Sequence, residues 1–313
     1  MSGPLSGLAL SEGFYREYGE PMLKKQFPEL FPRTAAAFLG SGSEVLGYDD
    51  EVSRDHDFEP GFCLFLPGED VISRREAFLL ERAYADLPKT YRGVERQKLN
   101  PVGGARHGVM RLGAFLKKTI GREEPALTIQ EWLTVPEQAF LEVTAGKVFS
   151  DESGFLTRVR EDLYYLPEEI AVKKLAGNLL YAAQSGIYNY HRCLEHGEEA
   201  AAQLALFSFT EAAMHCCFIL SEKYMPYFKW RFRAFDELEA FRDLKQAFEG
   251  LILLDNGQEN REPKEEKIGL ILKRILKASG FPEETDAGKA AYELNDSIRD
   301  HEIRELNILA AVS

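Results

Sequence analysis

Asp55 and Asp57 stand two residues apart, shortly after a glycine- and serine-rich bend, Gly40-Ser41-Gly42-Ser43. In an extended strand, residues i and i+2 project from one face. Both carboxylates would then aim at one spot, with backbones roughly 7 Å apart from two steps of ~3.3 Å. Mg²⁺ is commonly held by one or two carboxylates together with substrate phosphates. Glycines let a chain bend tightly and approach a ligand closely. Successive N–H groups in such a bend, with a helix starting behind it, make a pocket for phosphate oxygens. A phosphate-holding bend followed by a carboxylate pair is the chemistry of a metal–nucleoside-triphosphate site.

Several elements must position these groups. The apolar run Ala35–Leu39 predicts a buried strand leading into the bend, and a short helix is expected over 43–47. The aspartates open a second strand whose apolar continuation is Phe62–Leu66, with Pro60-Gly61 as an interruption. A helix over 74–85, a strand over 107–112 and a short helix over 115–120 follow. An N-terminal amphipathic helix over 11–27 is expected to break at Pro21. From about residue 125 the text turns helical. Thr128-x-x-Glu131 and Thr134-x-x-Glu137 read as two capping boxes in succession. KVFSDESG reads as a brief strand and turn. Helices are predicted over 135–145, 155–166, 167–184, 187–195, 200–224, 229–254, 264–279 and 283–309. The fold class is α+β: a small mixed-sheet domain over 1–125, then an α-helical bundle over 126–313.

The stretch from Phe38 to Asp57 resembles the signature of the nucleotidyltransferase (polymerase β-like) superfamily. Gly42-Ser43-Glu44-Val45-Leu46-Gly47 is similar to the GSxAxG form of small-molecule nucleotidyltransferases. Ser53-Arg54-Asp55-His56-Asp57 is like their SDxD, with Arg54 inserted. The whole chain looks like an uncharacterised bacterial family of that superfamily, a domain of unknown function. Gly186-x-Tyr188-Asn189-Tyr190-x-Arg192 and Tyr224-x-Pro226-Tyr227-x-Lys229-Trp230 carry that likeness downstream. The resemblance implies the plan of kanamycin-type nucleotidyltransferases, with Asp55 and Asp57 as catalytic metal ligands and Gly40, Ser41, Gly42 and Ser43 as the nucleotide-binding cradle. The doubled Gly-Ser leaves the register open between Ser41 and Ser43. A third carboxylate should complete the site, and Glu95 and Glu131 are the nearest candidates, although Glu131 also has a place in a capping box. Tyr188 and Arg192 sit at i, i+4 on one helix face. With Asn189 and Lys229 they are candidates for contact with substrate or phosphate, Arg192 and Lys229 being suited to a triphosphate. Packing tyrosines with outward charges are the plainer reading of the same pattern. Glu211 and His215, also i, i+4, suit a metal, but a buried hydrogen-bonded histidine suits them better. His56 reads as structural, and Arg54 as a partner for Glu51 or Glu59.

Composition bounds these expectations. The chain has 313 residues, a 45% hydrophobic share and a net charge of −13. That is a folded chain of two domains or one large one. It lacks the overall basic balance that nucleic-acid binding favours. Cys63, Cys193, Cys216 and Cys217 show no metal spacing and read as reduced core thiols of a cytoplasmic protein. No uninterrupted apolar run of about 18 residues marks a membrane span, and the first residues lack the pattern of a signal peptide. The stripe Ile268, Leu272, Ile275 and Leu276 would complete the bundle or form a homodimer interface.

The leading expectation is a Mg²⁺-dependent nucleotidyltransferase with one or two metal ions. It would move AMP from ATP, or another nucleoside monophosphate, to a hydroxyl of a small-molecule acceptor. The alternatives are a protein- or RNA-end nucleotidyltransferase, and a nucleotide-binding regulatory or partner-binding module with a degenerate site.

Overall fold

The computed structural model describes residues 6–52, 58–96 and 106–312. The protein is α+β: the described residues form a four-stranded mixed sheet, a two-stranded sheet and a helical C-terminal region. The chain forms two compact units, 1–127 with 138–164 and 128–137 with 165–313.

The first unit opens with α1 (Gly7–Phe14), which passes through a π-helical turn, Tyr15–Gly19, into α2 (Glu20–Gln26). Pro21 therefore does not break the helix. It sits in the first turn of α2, where a missing N–H is tolerated, and the π turn ahead of it absorbs the change. Next come β1 (Ala35–Phe38), α3 (Ser43–Leu46) and β2 (Cys63–Leu66). Helix α4 (Arg74–Ala85) starts on a Ser73/Glu76 capping box. The hairpin β3 (Thr90–Tyr91) and β4 (Val94–Glu95), strand β5 (Gly108–Arg111) and α5 (Leu112–Ile120) follow. Helix α6 (Ile129–Thr134) belongs to the second unit, and α7 (Glu137–Thr144) leads back to the first. Strand β6 (Lys147–Asp151) and α8 (Phe155–Asp162) complete it.

The sheet order is β5-β2-β1-β6, with β1 antiparallel to both neighbours and β2 parallel to β5. Every residue of β1 and β2 is buried. A buried strand must have both its edges hydrogen-bonded, which explains why 147–151, far along the chain, returns to pair with β1. Among the described residues, the strand expected from Asp55 onward is observed at Cys63–Leu66. Ahead of it, the Phe62 N–H bonds to the Tyr84 hydroxyl (3.1 Å), and that hydroxyl donates back to the Phe62 carbonyl (2.8 Å). The Phe62 ring lies 5.1 Å from Tyr15 and 4.9 Å from Tyr84, at the centre of an aromatic core.

In the second unit, α9 (Glu168–Ala182) runs through a π turn, Ala183–Asn189, into α10 (Tyr190–Glu195). The two helices predicted there are thus continuous. Gly186 is needed at the π turn because the Phe209 ring fills the place of a Cβ. Helix α11 (Glu199–Leu220) runs against α9 and is apolar on most of its surface. By length and composition it could cross a membrane, but most of it is buried within the unit, as a core helix is. The helix predicted over 229–254 is divided into α12 (Phe228–Phe235) and α13 (Lys245–Leu253). Helix α14 (Gln258–Ala278) buries Ile268, Leu272, Ile275 and Leu276 in the bundle. The helix predicted over 283–309 is divided into α15 (Ala287–Asp296) and α16 (His301–Glu305), with a final 3₁₀ turn.

The second unit encloses charge. Lys173 Nζ donates to Asn295 Oδ1 (2.7 Å) and to the carbonyls of Arg304 (3.1 Å) and Leu306 (2.6 Å), which ties the C-terminal segment to α9. Glu137, predicted as a capping-box glutamate, has another role. Its carboxylate accepts the Met225 N–H (2.8 Å) and lies 3.3 Å from His215 Nε2 and 3.6 Å from Lys174 Nζ. All three side chains are buried. Burial opposes the charged carboxylate, but His215, Lys174 and the Met225 N–H together hold Glu137 below the usual glutamate range. Removing one partner of a buried ion cluster leaves the others uncompensated, at a cost of about 3–5 kcal/mol. Glu137→Ala is therefore expected to lower unfolding free energy by that amount in urea titrations, whereas a surface change such as Glu283→Ala stays within about 0.5 kcal/mol.

Candidate functional site

The sequence places its chemistry at the exit of β1, and there the backbone turns in a way few residues permit. Gly40 has φ +107° and Gly42 has φ +134° with ψ 155°. The second conformation is essentially confined to glycine. A Cβ on Gly42 would overlap the Arg106 guanidinium and the Glu44 carboxylate, while at Gly40 none of the described residues lies within 4 Å of the place a Cβ would take. Gly42 is thus closed in by protein, whereas the side of Gly40 on which a Cβ would stand is open. Arg106 Nη2 donates to the Ser41 carbonyl and lies 3.6 Å from the buried Glu44 carboxylate. The Gly40 N–H donates to the Glu142 carbonyl (2.9 Å), which docks the bend on α7. Ser41 is exposed at the bend, whereas Ser43 is buried as the first residue of α3, its carbonyl accepting the Tyr48 N–H (2.7 Å).

A cavity of about 350 Å³ opens beside the bend. Gly40, Ser41, Arg106, His107, Lys118 and Glu142 supply its polar lining, and Val109, Met110 and Phe115 part of its apolar wall. His107 lies just ahead of β5, which brings Met110, while α5 brings Phe115 and Lys118 and α7 brings Glu142. Burial raises the Glu142 carboxyl above its ordinary value, against the pull of a Gln138 hydrogen bond and of the Lys118 and Arg106 charges. His107 stacks on Phe38 at 5.3 Å, and its Nδ1 is shut away from solvent with no hydrogen-bond partner among the described residues. Burial, together with the Arg106 and Arg96 charges, pushes its pKa down to about 3, so the ring is neutral near pH 7. Two cations, one carboxylate and an open backbone bend around an apolar wall suit a phosphorylated ligand that carries an apolar or aromatic part.

Asp55 and Asp57 lie outside the described residues, as do Arg54 and His56. Just before them, the Asp49 carboxylate accepts the Gly7 N–H (2.9 Å), tying the approach to the start of α1. Neither candidate for a third carboxylate lines the cavity. Glu95 is exposed in the β3–β4 hairpin, opposite Thr90. Glu131 closes the α6 capping box, its carboxylate accepting the Thr128 N–H (2.8 Å). Glu142 is the carboxylate that does line it. The sequence pattern missed it because α7 lies far along the chain and nothing in its spacing refers to the bend. Arg106 and Lys118 were missed for the same reason, although Lys118 follows Ala114 at i+4, which puts both on the cavity face of α5.

In the second unit, the Arg192 guanidinium lies 5.9 Å from the Tyr188 ring, so the i, i+4 pair does meet, with Asn189 on the turn between them. Arg192 also lies 3.9 Å from Glu195. Lys229 Nζ sits 5.0 Å from the Trp230 ring on α12. Glu211 and His215 do not act together: Glu211 pairs with Arg231 (3.1 Å) and His215 with Glu137. Among the described residues no group of three or more His, Cys, Asp or Glu side chains is placed to hold a metal ion.

Residues 132–231 match the domain of unknown function DUF4037. No curated protein and no solved structure matches the chain.

Two outcomes follow from the geometry. Gly42→Ala should destabilise the protein by about 1–3 kcal/mol from backbone strain, with overlap added. Gly40→Ala, strained but unobstructed, should cost less, and paired urea titrations rank the two. A histidine whose folded pKa is depressed gives stability that is present above its unfolded pKa and lost as the pH falls toward its folded one. For His107 that window runs from 6.5 down to about 3. The stability advantage of wild type over His107→Gln is expected to shrink between pH 7.5 and pH 4.5.

Proposed function

We propose that the first unit carries a Mg²⁺-dependent nucleotidyltransferase site that moves AMP from ATP, or another nucleoside monophosphate, to a hydroxyl of a small-molecule acceptor. The observation that carries this reading is the open Gly40–Ser41 bend facing a cavity that also holds Arg106 and Lys118. These two cations would attract the charge of a triphosphate, the guanidinium from its place against the bend and the ammonium as a point charge. The apolar wall would take the base. Asp55 and Asp57 would hold the metal, an assignment that rests on their spacing and on the resemblance of the Phe38–Asp57 stretch. Bound there, Mg²⁺ would draw charge off the phosphates as a Lewis acid.

Glu142, in place of the sequence candidates Glu95 and Glu131, would be the third carboxylate. A carboxyl raised by burial is a better proton acceptor for a hydroxyl than an exposed one. In this reading Glu142 takes the proton of the attacking hydroxyl, and Lys118 keeps it ionised while the site is empty. The bend positions the nucleotide, and the neutral His107 packs the cavity floor without adding a charge.

Pyrophosphate release from ATP, measured with a pool of hydroxylated metabolites and Mg²⁺, tests the proposal. Wild type should release pyrophosphate, and Asp55→Asn should not. Glu142→Gln should lose about 10²–10⁴ in rate while still binding ATP. Unchanged release by Asp55→Asn would remove the metal assignment, and unchanged release by Glu142→Gln would remove the base. ATP binding by wild type with no release in any pool would favour a binding module instead.

A further inference from the structure

We propose that α12 and the turn before it form a binding surface for single-stranded nucleic acid. The inference stands apart from nucleotidyl transfer, because it rests on the second unit alone.

The net charge of −13 hides an uneven distribution. Residues 223–235 contain Lys223, Lys229, Arg231 and Arg233 and no aspartate or glutamate. The same stretch presents aromatic rings to solvent. Tyr227 is 54% exposed and Phe228 65%, and their ring centroids lie 4.2 Å apart. Next to them, Lys229 Nζ lies 5.0 Å and Arg233 Cζ 5.7 Å from the Trp230 ring. Arg231 pairs with Glu211 and Lys223 with Glu237, whereas Lys229 is in no ion pair among the described residues.

Exposed rings interleaved with cations suit a ligand that is both aromatic and anionic. Single-stranded nucleic acid has that chemistry. Its bases stack on aromatic faces whatever their sequence, and its phosphates follow the cations. A bilayer with anionic headgroups shares the charge but not the shape. Glu222, Glu237 and Glu239 are exposed in the same region. A flat anionic surface broad enough to cover the patch would meet those carboxylates, whereas a single strand can pass along the rings without them.

The test is fluorescence anisotropy of labelled 12-nucleotide single strands, DNA and RNA, titrated with the full chain. Binding should appear at low salt and weaken with a log–log slope of about −1.4, from two phosphate contacts, at Lys229 and Arg233, at about −0.7 each. Tyr227→Ala and Phe228→Ala should each weaken it by about fivefold or more. Lys229→Glu should weaken it and flatten the slope. The strand should also quench Trp230 emission in the wild type, a readout that stands even if a variant misfolds. No binding and no quenching at 50 mM salt would overturn the proposal. So would unchanged affinity in folded ring variants, or binding to phosphatidylserine vesicles with none to oligonucleotides.

Discussion

The bend after β1 depends on one guanidinium. Arg106 donates to the Ser41 carbonyl, pairs with the buried Glu44 at the start of α3, and offers its own carbonyl to the Cys63 thiol at the start of β2 (3.3 Å). One residue thereby joins the bend, the helix behind it and the strand beside it. Its side chain occupies the space next to residue 42, which is why only glycine fits there. A backbone held in a sparsely populated conformation persists only when its surroundings fix it from several sides. Here the surroundings are the guanidinium, the Glu44 carboxylate and the Glu142 carbonyl.

The sheet supplies the rest of that support. The three alanines and Phe38 of β1 are buried, and the small side chains let β2 and β6 flank a strand covered on both faces. Because β6 comes from 147–151, α7 is drawn alongside the bend and Glu142 arrives with it. The same chain path leaves Glu137, at the first turn of α7, in the second unit with His215 and Lys174. Two glutamates five positions apart thus serve different units, one facing a cavity and the other sealed in an ion cluster.

Local chemistry was legible in the sequence where it is local in space. The Ala35–Leu39 run, the glycine bend, the helix over 74–85 and the Thr128/Glu131 box all follow from short-range rules. Tertiary packing decided the remainder. The π turns at Tyr15–Gly19 and Ala183–Asn189 keep helices continuous where a break at Pro21 and separate helices over 167–184 and 187–195 were expected. Glu137 satisfies a capping-box spacing and yet bonds to residues about 40 to 90 positions away. The cavity's charged lining, Arg106, Lys118 and Glu142, comes from three elements that meet only in the fold. No window of sequence contains all three.

The central claim is that the bend and its two cations recognise phosphate. Titration calorimetry with ATP, ADP, AMP and adenosine, on wild type and on Lys118→Glu, tests it most directly. The account predicts that affinity falls at each phosphate removed and that charge reversal at 118 weakens ATP far more than adenosine. Adenosine binding as tightly as ATP, or ATP binding that ignores the reversal, would contradict it.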